Sequence, residues 1–159
     1  MNLSMKKILR FILLTIYVLV LIVITSQFVG FSASKHVLLW AAPFLPFFPI
    51  LGLIWLKPKE EKYGWVLFTI WLGSTYVSLG TTPEWIVFSV ITALAISGYF
   101  ISPWLFVLAW FAHIVWDFMP RELPELLLQL PQSCMIFDGL IGFYIAWRIV
   151  KKWKGVETT

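Results

Sequence analysis

Long apolar runs separated by short polar or proline-containing stretches make up most of the chain. A run of about 20 residues forms a helix of about 30 Å, which matches the hydrocarbon thickness of a bilayer. The pattern predicts six such helices, at residues 8–29, 36–56, 64–80, 84–100, 102–118 and 134–150. We therefore expect an all-α fold, a polytopic transmembrane helix bundle that forms a single domain over residues 1–159.

The stretch from Glu84 to Phe118 decides the number of spans. As one helix it would be about 50 Å long, well beyond the thickness of the hydrocarbon layer. Gly98, Ser102 and Pro103 lie near its middle, where a helix can end and a turn can form. The pattern therefore favours two shorter helices over one long helix.

Three prolines interrupt the second predicted span, namely Pro43, Pro46 and Pro49. Each proline lacks a backbone N–H and disturbs the turn before it, and lipid offers no partner for the freed carbonyl groups. Two interpretations stay open: a bent helix that lines a cavity, and a kinked helix that serves packing alone.

Small residues at four-residue spacing predict where helices pack closely, because small side chains let two backbones approach each other in lipid. Ser89, Ala93 and Ser97 form such a stripe on the fourth predicted span. Gly142 and Ala146 form another on the sixth. We expect both stripes to face neighbouring helices.

Composition supports the bilayer as the solvent of this chain. Hydrophobic residues make up 60% and charged residues 13%, whereas a soluble domain carries about 25% charged residues. Cys134 is the single cysteine, which excludes an internal disulfide and a Cys-rich zinc site. The net charge of +4 does not indicate nucleic acid, because the basic residues sort by membrane side; membrane lipids are the expected partners.

The basic residues also give the orientation of the chain. With six spans, ten of the 12 Lys and Arg residues lie on the side that holds both termini, and two lie opposite. An excess of Lys and Arg marks the cytoplasmic side, so both termini are predicted to be cytoplasmic. Reading residues 84–118 as one span would divide the 12 basic residues almost evenly, seven against five. The ten are Lys6, Lys7, Arg10, Lys57, Lys59, Lys62, Arg148, Lys151, Lys152 and Lys154, and the two are Lys35 and Arg121.

The first predicted span has two interpretations. Lys6, Lys7 and Arg10 precede an apolar run, as in a secretory signal peptide, and the small residues at 32–34 could serve as a cleavage site. The run is also long enough to span the bilayer, which favours a retained anchor. Both interpretations leave the remaining topology unchanged.

Polar residues inside the last two predicted spans are the candidates for chemistry. His113 and Asp117 lie four residues apart on one face of the fifth helix, and Cys134 and Asp138 lie four apart on the sixth. A carboxylate at the membrane centre costs about 2.5 to 3.5 kcal/mol. A His113–Asp138 pair would satisfy that carboxylate, and it could move protons, act as acid and base, or bind a metal with Cys134.

The connection between these two helices is short, so we expect them to be neighbours, and their polar residues then define a hypothetical site in the outer half of the membrane. His113, Asp117 and Asp138 are its candidate catalytic residues, with Glu84, Trp116 and Cys134 as candidate binding residues. Simpler interpretations stay open beside it. Asp117 could lie in the wet interface, Glu84 could interact with a helix dipole, Cys134 could pack as a small apolar residue, and His113 with Asp138 could be a structural hydrogen bond.

The stretch from Ala112 to Asp117, followed by Cys134 to Asp138, resembles a family of small uncharacterised bacterial integral membrane proteins. The shared signature is H-x-x-W-D in one helix and C-x-x-x-D in the next, and it covers residues 112–138 only. Members of that family commonly continue with two histidines three residues after W-D, where this chain has Pro120 and Arg121. The resemblance implies a bacterial cytoplasmic (inner) membrane and a site, but it names no reaction.

Three classes of function follow from these observations. The first is a membrane-embedded enzyme that acts on a lipid or isoprenoid. The second is a small proton-coupled carrier, and the third is a non-catalytic structural subunit. Nucleotide, phosphate-loop and H-E-x-x-H motifs are missing from the sequence, and the sequence identifies no cofactor, substrate or oligomeric state.

Overall fold

The computed structural model describes residues 3–77, 82–120, 125 and 128–151, and within these ranges the chain forms helices and turns without a strand. The all-α prediction is confirmed. In chain order the helices are α1 (Leu3–Ser34), α2 (Leu38–Ala41), α3 (Phe47–Leu53), α4 (Pro58–Val77), α5 (Thr82–Phe100), α6 (Trp104–Asp117) and α7 (Leu130–Lys151).

Three of these helices are long and apolar enough to cross a membrane: α1 from Met5 onwards, α5 and α7. The shorter α6 is also apolar. Large apolar side chains such as Phe11, Leu19 and Phe31 on α1 lie exposed on the outside of the bundle. A surface of this kind is stable in hydrocarbon and costly in water, so the chain is a membrane protein.

A Schellman motif ends α1 at His36. The N–H of His36 donates to Ala33 O, and the N–H of Val37 donates to Ser32 O, which is the hydrogen-bond pattern of that motif. His36 has a φ of 55°, a left-handed conformation that a non-glycine residue adopts at some cost. The turn directs the chain back along the bundle.

The proline-rich segment forms two short helices instead of one bent helix. Between α2 and α3 the chain makes tight turns, in which Phe44 N–H donates to Ala41 O and Phe47 N–H donates to Phe44 O. Pro43 and Pro46 stand in this stretch, and neither has an N–H that could continue the helix. The predicted second span therefore consists of α2, a turn and α3.

The break between the fourth and fifth predicted spans lies where the sequence places it. α5 ends at Phe100, and α6 begins at Trp104 directly after Pro103. The turn is tight because Gly98 lies against Phe106, where a Cβ would approach the Phe106 ring to 2.9 Å. Consequently α5 and α6 run antiparallel and pack against each other.

The helices α4, α5, α6 and α7 pack in chain order, and α1 to α3 lie beside them. On α7, Gly142 packs against Phe111, as the small-residue pattern predicts. The prediction for α5 is wrong, because Ser89 and Ala93 are exposed. The buried residues of α5 lie on another face and include Glu84, Ile91, Ala95 and Gly98.

Basic residues cluster at one end of the bundle, which we call the basic end. It consists of the starts of α1 and α4 and the ends of α5 and α7. Lys7, Lys57 and Tyr99, one from each of the first three regions, line a common cavity. Arg148 near the end of α7 contacts Glu61 near the start of α4.

Candidate functional site

His113 lies in the packed centre of the bundle and is 0% exposed. Its ring centroid is 6.3 Å from that of Trp110 and 5.3 Å from that of Trp116. Gly73 on α4 allows this packing, since a Cβ there would lie 3.6 Å from His113 Cε1 and 2.7 Å from the Phe88 ring of α5. The imidazole therefore lies where α4, α5 and α6 meet.

Asp117 and Asp138 bring two carboxylates to this region. Asp117 is buried one helical turn after His113, and Asp138 is buried on α7 at 0% exposure. The helices α6 and α7 pack directly against each other, as predicted, and the two carboxylates are close enough to interact electrostatically. Neither carboxylate oxygen of Asp138 has a hydrogen-bond partner among residues 3–77, 82–120, 125 and 128–151.

The three candidate binding residues are also buried, but they occupy different surroundings. Glu84 lies in the first turn of α5. Cys134 lines a small cavity of about 50 Å³, whose other walls include Val29, Leu38 and Trp71. Trp116 packs beside His113. The structure thus joins Trp116 to the His113 region and places Cys134 beside an apolar cavity on α7.

Trp116 also lines a groove of about 470 Å³ between α5 and α6. The other lining residues are apolar, among them Val87, Leu108, Phe111 and Val115. Since Val115 is exposed on the outside of the bundle, the groove opens toward hydrocarbon. A hydrocarbon chain in it would lie on the face of α6 next to the one that carries His113.

In the part of the chain that the structure describes, the polar residues provide no set of ligands for a metal ion. No three side chains of His, Cys, Asp or Glu in those ranges lie close enough together to hold a metal ion. The metal-binding alternative with Cys134, His113 and Asp138 therefore gains no support from the geometry.

A second buried polar cluster lies at the basic end, and sequence reasoning missed it. Arg148 on α7 pairs with Glu61 on α4, with Arg148 Nε 2.8 Å from Glu61 Oε1. The Tyr144 hydroxyl donates to the same carboxylate oxygen at 2.9 Å. Glu61 and Arg148 are almost completely buried. Opposite charges inside apolar helices normally pair, so the signal was a glutamate just before the third predicted span and an arginine near the end of the sixth.

An aromatic column connects the two polar clusters. Starting at Tyr144, the ring centroids of successive neighbours lie 5.8 Å apart to Trp65, 6.0 Å to Trp110 and 6.3 Å to His113. Trp65 and Trp110 are buried, and their indole N–H groups have no acceptor within the described ranges. The centre of the bundle therefore contains polar groups at both ends and aromatic rings between them.

The sequence matches no family model, and comparisons with curated proteins and with solved structures find no match. The resemblance based on the H-x-x-W-D and C-x-x-x-D patterns stays a prediction.

Proposed function

We propose that the chain is a small multi-pass protein of the bacterial cytoplasmic (inner) membrane that works as a proton-coupled carrier. In this proposal His113, Asp117 and Asp138 bind the coupling proton. The observation that carries it is Asp138, which is completely buried, lies near a second carboxylate, and has no hydrogen-bond partner in the described ranges.

Asp117 and Asp138 are two carboxylates buried in the same region of the bundle. A single charged carboxylate at the membrane centre costs about 2.5 to 3.5 kcal/mol, and two close together also repel each other. A proton bound by Asp138 removes both the charge of this fully buried carboxylate and its repulsion with Asp117. This supports Asp138 as the group that takes up and releases the coupling proton.

His113 gives this site an imidazole, a group that can both accept and donate protons. It lies one turn before Asp117 on the same helix face, between two tryptophan rings. The aromatic column continues from it to Tyr144 and the Glu61–Arg148 pair at the basic end. Ionisable residues that lie inside membrane helices commonly mark the paths of ions and protons.

We also propose six crossings with both termini in the cytoplasm. The starts of α1 and α4 and the ends of α5 and α7 share the basic end. A path that starts there on α1, returns through α2 and α3, and then alternates through α4, α5, α6 and α7 satisfies this arrangement. The positive-inside rule assigns the basic end to the cytoplasm.

Proton binding can be tested before the transported solute is known. His113 lies beside Trp110 and Trp116, and a protonated imidazole quenches indole fluorescence. We expect the fluorescence of the purified chain to change between about pH 4 and about pH 9, the range of carboxyl and imidazole titration. Asp138→Asn should alter that change, whereas Glu60→Gln, a carboxyl at the basic end, should not. Superimposable titrations of folded Asp138→Asn and wild-type protein would refute proton binding by this cluster.

Transport is tested in proteoliposomes that contain a pH-sensitive dye and carry an imposed membrane potential. Wild-type protein should admit protons faster than liposomes with Asp138→Asn or His113→Ala, while Glu60→Gln behaves like wild type. Equal proton entry in all four preparations excludes proton passage through the His113–Asp138 cluster.

The groove between α5 and α6 favours a second candidate, an enzyme that acts on a lipid or isoprenoid. A hydrocarbon chain would fit its apolar walls, and His113 could act as general base on a group held near Asp117. In that case Asp138→Asn and His113→Ala abolish a lipid conversion, detected by mass spectrometry of extracted lipids, while proton entry stays unchanged.

A further inference from the structure

A cavity of about 570 Å³ lies at the basic end, and its lining shares no residue with the His113 cluster. Its basic wall is formed by Lys7 and Arg10 of α1 and by Lys57 and Lys59 at the start of α4. These four cations come from two segments separated by more than forty residues of sequence. The fold, and not a local run of charge, therefore assembles the basic wall.

The cations outnumber the carboxylates in this cavity. Glu60 is the acidic residue in its lining, and it lies 2.5 Å from Arg10 Nη2 and accepts a hydrogen bond from the Lys57 N–H. One carboxylate offsets one cation, so the lining keeps an excess of positive charge. Such a site favours an anion with several oxygen acceptors, because Lys and Arg bind phosphate oxygens strongly.

The opposite wall of the cavity is apolar and aromatic. Phe11 and Leu14 follow Arg10 down α1, and Phe11 packs against Tyr63 with ring centroids 4.9 Å apart. Beside this wall the surface of α1 carries exposed apolar side chains, among them Ile8 and Ile12. The cavity therefore joins a cationic rim to a hydrocarbon-facing surface.

We propose that this cavity binds the phosphate group of an anionic phospholipid, whose acyl chain lies along Phe11 and Leu14. A free phosphate would use the cationic rim only, whereas a phospholipid also uses the apolar wall. Clusters of Lys and Arg at the cytoplasmic surface attract anionic lipid headgroups. The site is independent of proton binding at His113 and Asp138.

The test compares lipids that differ in headgroup charge. The full chain in a neutral detergent is titrated with phosphatidylglycerol, with phosphatidylcholine and with inorganic phosphate, and binding is followed by native mass spectrometry and by the shift in unfolding temperature. We expect phosphatidylglycerol to bind and to raise the unfolding temperature, phosphatidylcholine to bind more weakly, and inorganic phosphate to have no effect on unfolding.

Two double variants remove the same amount of charge from the same end of the bundle. Lys57→Gln with Lys59→Gln changes the cavity, and should weaken phosphatidylglycerol binding about tenfold or more, given the contribution of each surface lysine. Lys62→Gln with Lys151→Gln lies outside the cavity lining and should keep binding near the wild-type value. Equal losses in both double variants would show general surface attraction and overturn the proposal. Equal binding of both lipids, or stabilisation by inorganic phosphate as large as by phosphatidylglycerol, would overturn it too.

Discussion

Glu61 and its neighbour Glu60 both pair with an arginine, but only one of the pairs is closed off from solvent. The side chains of Glu61 and Arg148 are 0% and 2% exposed, whereas those of Glu60 and Arg10 are 19% and 57% exposed. Two adjacent glutamates thus provide a buried ion pair and a matched exposed one on the same helix. The two ion pairs therefore allow the effect of burial on stability to be compared within one helix.

Removing one partner of the buried pair should be strongly destabilising. Arg148→Met removes the cation that pairs with the buried Glu61 carboxylate, and such changes cost about 3 to 5 kcal/mol. For a chain of this length the loss corresponds to a decrease of about 6 to 20 °C in unfolding temperature. Arg10→Met should cost less than about 1 kcal/mol, because exposed ion pairs contribute little.

The double variant Glu61→Leu with Arg148→Met should recover most of the lost stability, because both charges leave the interior together. Unfolding of the wild type, Glu61→Leu, Arg148→Met, the double variant and Arg10→Met is followed by circular dichroism in one detergent. Unfolding temperatures of Arg148→Met and Arg10→Met that agree within about a degree would contradict this expectation. So would a double variant whose loss of stability equals the sum of the losses in the two single variants.

Three further predictions follow from the buried centre. Gly73→Val should destabilise the protein by about 1 to 3 kcal/mol, because a Cβ there would lie 2.7 Å from the Phe88 ring. Gly30→Ala, with open space around it, should be neutral or stabilising by about 0.5 to 1 kcal/mol. Thermal unfolding of the two variants tests this difference, and equal shifts in unfolding temperature would contradict it. Asp138→Asn should keep or raise the unfolding temperature near neutral pH, because no hydrogen bond of its carboxylate in the described ranges is lost, and a loss above about 2 kcal/mol would indicate a structural role. Cys134, which is buried, should react with a maleimide slowly in the folded protein and quickly after unfolding, and labelling at equal rates in both states would place it at the surface.

The sequence predicts helices well in this protein because hydrocarbon leaves the backbone few alternatives. An apolar run of sufficient length becomes a helix, and a proline beside a glycine and a serine ends one, as at Pro103. The same rule fails at Pro43 and Pro46, where the sequence indicates a disturbed helix but not how far the disturbance extends. The outcome there depends on hydrogen bonds that close over three residues.

The faces of the helices are harder to predict than their positions. The stripe of Ser89 and Ala93 permits close packing but does not require it, and the neighbouring helices instead cover Ile91 and Ala95. In the candidate site, the prediction that the fifth and sixth spans are neighbours places His113, Asp117 and Asp138 in one region. The pairing of Glu61 with Arg148 depends on how α4 crosses α7, and the four-residue spacings that located the first cluster carry no information about that crossing.

The short length of α6 has a consequence for the membrane around it. Its 14 residues rise about 21 Å, less than the hydrocarbon thickness of about 30 Å, whereas α1 is longer than that thickness. In the proposed six-span topology, the acyl chains beside Leu108 and Val115, which are exposed on α6, have to compress, and compression costs a fraction of a kcal/mol per Å of mismatch. The protein should therefore unfold at higher temperature in nanodiscs of short-chain lipids than in those of long-chain lipids. The bilayer would be thinner next to α6 than next to α1.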